Sequence, residues 1–143
     1  MATVHDVAAY VLDRSGPLSA MKLEKLVYYC QAWSLVWDDK PLFKARIEAW
    51  ANGPVVPQLY RLHRKIFTVA RWPAGDSTAL SDVERETVDA VVSFYGKRPS
   101  QWLSDLTHSE PPWRNARQGI PSGAPCTNEI TLSAMAEYYG SLA

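Results

Sequence analysis

The amino-acid sequence predicts a mainly α fold: a single compact helical domain of about five to seven helices, with at most a short β-hairpin around residues 42–56. Apolar residues recur at helical spacing over most of the chain, and clusters of proline and glycine separate these stretches. The composition agrees, because a chain of 143 residues that is 47% hydrophobic and 21% charged can bury a sizeable core. No linker or internal repeat divides the chain, so we expect one domain over residues 1–143.

The first two helices are predicted from their caps and apolar faces. Thr3 can cap a helix that begins at Val4 and ends near Ser15, and a second helix begins at about Ser19. The second helix has a wide apolar face that suits the domain centre, formed by Leu23, Leu26, Val27, Cys30, Trp33 and Trp37. We expect its wetter side to hold the charged residues Lys22, Glu24, Lys25 and Asp38.

Residues 42–50 show no helical stripe, which favours a short extended piece or a hairpin. Gly53 and Pro54 then impose a tight connection, because glycine tolerates unusual backbone angles and a proline moves the residue before it out of the helical region. Pro57 suits the first position of a third helix. We expect this helix to end before Trp72 and to have an apolar face formed by Leu59, Tyr60, Leu62, His63, Ile66 and Phe67.

The second half of the chain predicts three more helices. Ser81 and Glu84 form a capping box before apolar residues at helical spacing, and Gly96 ends that helix. Ser100 is placed to cap a shorter helix, which the stretch 110–112 cannot continue because it contains two prolines. Residues 113–125 predict a loop or a single helical turn, and a last helix covers about residues 130–139.

Charge and cysteine content argue against several classes of protein. Fifteen basic side chains balance fifteen acidic ones, and this zero net charge argues against a broad nucleic-acid surface. Cys30 and Cys126 have no third cysteine with which to form a zinc-binding spacing, so we expect reduced thiols. No apolar stretch approaches the roughly 20 residues of a membrane span, and the N-terminus lacks the pattern of a signal peptide. We therefore expect a cytoplasmic protein without membrane contact.

Residues that could carry chemistry are few. The three histidines lie on separate predicted elements without a metal-ligand spacing, and no phosphate-binding or dinucleotide motif is present, so we expect neither a metal nor a cofactor. His108 and Glu110 are the best acid–base candidates, and a small hydrolase or transferase that uses them is one alternative. A nucleic-acid-binding regulator that uses Arg61, Arg64 and Lys65 is another. Six tryptophans instead favour a protein interface if one or two of them are exposed at a groove.

Several motifs occur in an order that resembles one known family. Lys22 to Gln31 is similar to a "KLxKLxYYxQ" signature, and it is followed in register by KPLF at 40–43, IEAW at 47–50 and GPVVPQLY at 53–60. Later, LSDLTHSEPPW at 103–113 is similar to an "LSxLTHxExPW" stretch, with Arg117 behind it. The chain thus resembles the Panacea antitoxin domain, the family of SocA-like antitoxins and phage-associated GepA-like proteins.

The resemblance implies a helical domain, without catalysis of its own, that neutralises a cognate toxin by direct binding. The toxin is expected to be encoded by the adjacent gene, and delivery of the toxin to a Clp-type AAA+ protease is a second role that the resemblance suggests. The motif residues are expected to form one surface that either contacts the toxin or holds the fold. These residues are Trp50, Gly53, Pro54, Val55, Tyr60, His108, Glu110, Trp113 and Arg117.

Overall fold

Seven helices and two small antiparallel sheets form the structure, a computed structural model that describes residues 1–143. The helices are α1 (Val4–Ser15), α2 (Ala20–Trp37), α3 (Pro57–His63), α4 (Asp82–Tyr95), α5 (Ser100–Ser109), α6 (Pro111–Ala116) and α7 (Leu132–Leu142). Strand β1 (Leu18–Ser19) pairs with β4 (Thr68–Val69), and β2 (Glu48–Trp50) forms a hairpin with β3 (Gly53–Val55). The predicted fold class is confirmed, including the hairpin within residues 42–56.

Helix α2 lies at the centre of the molecule. It packs against α1, α4, α5, α7 and β3, and most of its side chains are buried on every side. Its N-terminus is capped by Ser19, whose hydroxyl accepts from the Lys22 backbone N–H at 3.1 Å. One hydrophobic cluster of 33 residues extends around it from Ala2 to Tyr139. The prediction that the second helix crosses the domain centre is confirmed.

The predicted wetter side of α2 is wrong for its first turns. Glu24 is 0% exposed and Lys25 is 2% exposed, whereas Trp37, expected on the apolar face, is 50% exposed. Lys22 and Asp38 are half-buried. The reason is that other elements surround the N-terminal half of α2, so its charged side chains are covered by the hairpin and α3, while its C-terminal end reaches the surface.

Helix α3 begins at Pro57 as predicted but ends at His63, well before Trp72. The chain then turns, with the Ile66 N–H donating to the His63 carbonyl at 2.8 Å, and Thr68–Val69 pairs with Leu18–Ser19. This pairing extends the backbone and excludes further helix. Ile66 and Phe67 are left 49% and 84% exposed, so they do not form the buried face that the longer helix would give them.

The second half follows the predicted helices with shifted boundaries. Ser81 and Glu84 form the predicted capping box of α4. Ser100 does not cap α5, because Pro99 occupies that position and the Ser100 hydroxyl bonds the Ser19 hydroxyl at 3.0 Å. Pro111 opens α6 directly after α5, since a proline at the first helical position removes no needed N–H. None of the helices combines the length and apolar character that crossing a lipid bilayer requires.

Candidate functional site

A cleft of about 830 Å³ opens between the N-terminal turns of α2, the β2–β3 hairpin, α3 with the turn behind it, and α5. Its apolar wall is formed by Trp50, Val55, Tyr60, Ile66 and Phe67. The Trp50 and Tyr60 rings meet edge to face with centroids 4.7 Å apart, which fixes both rings on one side of the cleft. Ile66 and Phe67, in the turn after α3, form the strongly exposed part of this wall.

Lys25 lies at the base of this cleft. Its side chain is 2% exposed, yet it makes no hydrogen bond and no ion pair. Burial lowers the Lys25 pKa to about 8, an effect that the negative charge of Glu24 opposes. Near neutral pH the group is therefore a buried ammonium without a partner.

Gly53 is what lets the hairpin lie on Lys25. Its φ of +125° is accessible to glycine and strained for other residues. A Cβ atom at this position would lie 3.1 Å from Lys25 Cε and 3.2 Å from Thr107 Oγ1, closer than ordinary contacts. The backbone angle thus favours glycine here, and a side chain would also require Lys25 and Thr107 to move by a few tenths of an ångström.

The charges of the cleft all have one sign. Lys25 at the base and Arg64 at the rim are its charged lining residues, and no carboxylate lines it. Arg64 is exposed and forms no ion pair. The cleft consequently combines apolar walls with positive charge that nothing in the chain neutralises.

A buried acid–histidine pair supports the cleft from behind. Glu24 Oε2 lies 2.6 Å from His63 Nε2, and Glu24 Oε1 accepts from the Val56 backbone N–H at 2.8 Å. Burial raises the Glu24 pKa, while the bonds from His63 and Val56 act in the opposite direction. This pair joins α2 to the start and the end of α3. Sequence reasoning missed the contact between Glu24 and His63. The available signal was that two adjacent charged residues, Glu24 and Lys25, lie in a helix with apolar residues on all sides.

Glu110 is buried between three helices. Its Oε1 accepts from the hydroxyls of Tyr29 and Tyr139, each at 2.7 Å, and its side chain does not line the cleft. Burial raises the Glu110 pKa, and the two phenol bonds oppose this effect. The carboxyl group thus connects the α5–α6 junction to α2 and α7.

The rings of His108 and Trp113 stack behind the hairpin. Their centroids are 4.1 Å apart, and Trp113 Nε1 donates to the Trp50 carbonyl at 2.8 Å. Burial and the nearby charges of Lys25 and Arg117 lower the His108 pKa, which a backbone contact to Ala51 partly opposes. The histidine is therefore neutral at pH 7 and faces an indole rather than the Glu110 carboxyl group.

Arg117 is a buried cation whose two terminal nitrogens donate to backbone carbonyls, whereas its buried Nε has no hydrogen-bond partner. Its guanidinium donates to the carbonyls of Ala49, Pro121 and Ala124 at 2.8, 2.9 and 2.6 Å. It also lies 4.8 Å from the centre of the Trp113 ring. Arg117 thereby fixes the outer strand of the hairpin and the loop that follows α6.

The predicted motif residues fall into two groups. Trp50, Val55 and Tyr60 line the cleft. The others do not line it: Gly53 and Pro54 belong to the hairpin, His108, Trp113 and Arg117 pack against it, and Glu110 joins α2 to α7. Lys25, Arg64, Ile66 and Phe67 also line the cleft, but the motif surface did not include them. No three potential metal ligands lie together, and Cys30 is a buried thiol whose pKa burial raises.

The fold and the cleft define a small helical domain whose buried polar groups position an apolar, positively charged groove. Residues 23–114 match the family model of the antitoxin SocA-like, Panacea domain, and this match covers more than half of the chain. The chain therefore belongs to the SocA-like antitoxin family with a Panacea domain, which confirms the resemblance seen in its motifs.

A curated relative agrees with this assignment. Antitoxin SocA of Caulobacter vibrioides (strain NA1000 / CB15N) is 39% identical over 59 residues, a match that covers 38% of this chain and 31% of the relative. The aligned part thus spans about a third of the length of that relative. No solved structure matches the chain.

Proposed function

We propose that this chain is an antitoxin-type binding module that neutralises a cognate toxin by direct contact, and that the toxin is the product of the adjacent gene. The observation that carries this proposal is the cleft with its exposed apolar rim. Phe67 is 84% exposed and the neighbouring Ile66 is 49% exposed, on a wall shared with Trp50 and Tyr60. Clustered exposed apolar groups are typical of a surface that a partner covers. Family membership makes a toxin the partner to test.

The motif residues then divide into contact and support. We propose that Trp50 and Tyr60 contact the toxin, because they line the cleft and are partly exposed, and that Val55, which is 1% exposed, shapes the cleft beneath them. The remaining motif residues act by holding the hairpin or, for Glu110, the packing of α2 and α7, since their hydrogen bonds and ring contacts are internal. A substitution in the second group should weaken neutralisation only as far as it weakens the fold.

The proposal assigns no catalytic step to the chain. Glu110 is 4% exposed and does not line the cleft, so a substrate there would not reach its carboxyl group. His108 stacks on Trp113 instead of facing that carboxyl group. These contacts support binding, not acid–base chemistry, as the role of the motif stretch.

Co-expression with the adjacent gene tests the proposal. Growth rescue and co-purification are scored for the natural chain and for two matched variants, Phe67→Ser at the cleft rim and Phe94→Ser on α4, where the phenylalanine is 61% exposed but does not line the cleft. We expect rescue by the natural chain and by Phe94→Ser, with weaker rescue by Phe67→Ser. A neighbour that is not toxic, or a chain that neither rescues growth nor co-purifies, would refute the proposal.

A more specific version of the proposal is that the chain delivers its toxin to a Clp-type AAA+ protease. If the chain acts as an adaptor, growth rescue is accompanied by loss of the neighbour protein, and the rescue disappears in cells that lack the protease. A stable complex in both kinds of cell, with unchanged amounts of the neighbour protein, would assign neutralisation to binding alone.

A further inference from the structure

The Lys25 ammonium reaches a cleft that an external partner could enter, and it has no partner within the chain. It is buried, it lines the cleft, and no acceptor of the chain pairs with it. Its sequence neighbour Glu24 makes no ion pair with it, and the two oxygens of that carboxylate instead contact Val56 and His63. Burying a charge without a partner is unfavourable, so the unpaired Lys25 ammonium indicates a site where the partner arrives from outside.

The lining of the cleft defines the chemistry of that partner. The second charged residue, Arg64, is also positive and stands at the rim, and the lining contains no acidic residue. An anion entering the cleft therefore meets attraction at the rim and at the base and no repulsion from the walls. The lining of the same cleft includes Trp50, Tyr60 and Phe67, which suit an aromatic or aliphatic side chain of the partner that carries the anion.

We propose that the cleft binds a carboxylate of a protein partner, an Asp or Glu side chain seated against Lys25, with a neighbouring apolar side chain packed on Trp50, Tyr60 and Phe67. The identity of the partner as the toxin rests on the proposed function, whereas the chemistry of the site does not. A carboxylate suits this position better than a nucleic-acid phosphate backbone, because the cleft holds one buried and one rim cation rather than a row of exposed ones.

Selection from a random dodecapeptide library displayed on phage tests this without knowledge of the toxin. The immobilised target is the full chain, and the selected peptides are then synthesised and measured by fluorescence anisotropy on the natural chain and on Lys25→Met, Arg64→Gln and Lys97→Met. Lys97 is an exposed lysine outside the cleft, so its variant controls for the loss of one positive charge. Circular dichroism spectra check that each variant is folded.

We expect enriched peptides that pair an acidic residue with an aromatic or aliphatic one. Lys25→Met should weaken their binding by at least about 30-fold, since removing one partner of a desolvated charge pair has large effects. Replacing the peptide carboxylate by its amide should cause a similar loss on the natural chain and no further loss on Lys25→Met. Arg64→Gln, a rim variant that leaves the core untouched, should weaken binding a few-fold, and Lys97→Met should bind like the natural chain.

Three results would overturn the inference. One is a selection that enriches nothing or enriches peptides without a carboxylate. Another is binding to Lys25→Met within threefold of the natural chain. The third is a labelled oligonucleotide that binds the chain in a Lys25-dependent way, which would make phosphate the occupant.

Failure here is distinguishable from failure of the proposed function. Equal neutralisation of the adjacent gene product by the natural chain and by Lys25→Met would leave the antitoxin role standing and remove the carboxylate site. Lys25-dependent peptide binding without any neutralisation would leave the carboxylate site standing and remove the antitoxin role.

Discussion

Replacing Lys25 by methionine should make the free protein more stable. In the folded chain the Lys25 pKa falls from 10.5 to about 8, chiefly because the ammonium is buried. A difference of this size corresponds to about 3 kcal/mol of unfavourable free energy at pH 7, at about 1.4 kcal/mol per pKa unit. Methionine keeps an unbranched apolar side chain but is one atom shorter, so we expect the net gain at pH 7 to be about 2 kcal/mol.

The pH dependence distinguishes charge removal from better packing. Below pH 8 the folded and unfolded chains both carry the Lys25 charge, so the penalty is fully present. Between pH 8 and 10.5 the folded chain loses the proton first, and the stability of the natural chain rises. The advantage of Lys25→Met should therefore shrink by about 2 kcal/mol between pH 7 and pH 9.5.

Urea denaturation at pH 7 and pH 9.5 measures this effect, and thermal unfolding at pH 7 should show an increase in Tm of about 4–8 °C. Lys97→Met is the matched control and should change the free energy of unfolding by no more than about 0.5 kcal/mol. A Lys25→Met chain that is less stable than the natural one at pH 7, or an advantage that is the same at both pH values, would refute the reasoning.

Other substitutions test the supporting contacts. Arg117→Lys should lower the free energy of unfolding by about 3 kcal/mol or more in urea titrations, because one ammonium cannot reach three separate carbonyls; a loss below about 1 kcal/mol would contradict this. Glu24→Ala should cost about 3–5 kcal/mol, since it leaves His63 and a backbone N–H without their acceptor, and a variant as stable as the natural chain would show that the pair is not formed. His108 should titrate below pH 6.5 in NMR spectra, and its pKa should rise in Lys25→Met because a nearby positive charge is gone; an unchanged pKa would argue against that proximity. The pKa of His108 is lower in the folded chain than in the unfolded chain, so the unfolded chain binds the proton first as the pH falls. The free energy of unfolding should therefore decrease as the pH falls through 6.5.

Local patterns were sufficient to predict most of the fold. Caps at Thr3 and Ser81, the proline at 57 and helical spacing placed helices close to where they lie, because these signals act within one or two turns of backbone. The pairing of residues 18–19 with 68–69 was missed, since it depends on residues fifty positions apart and has no local signature. That pairing is also why α3 is short.

The candidate site shows a sharper limit. The motif residues around Trp50 and Tyr60 pointed to the correct region, but the charges at Glu24 and Lys25 were placed on the wrong side of the helix. Periodicity assigns charged residues to solvent because burial usually excludes them. A helix covered on every side breaks that rule, and only the three-dimensional arrangement shows which elements cover it.

The contacts of residues 125–130 with the hairpin determine when the cleft is complete during synthesis. The Ile130 N–H donates to the Ile47 carbonyl and the Ala49 N–H donates to the Asn128 carbonyl, each at 2.9 Å, so this late segment completes the edge of the hairpin. Residues 125–127 also line the cleft. Translation from residue 63 to residue 130 takes on the order of 3–13 s at about 5–20 residues per second. A nascent or truncated chain that ends before this segment lacks part of the cleft, so the groove is completed only late in synthesis.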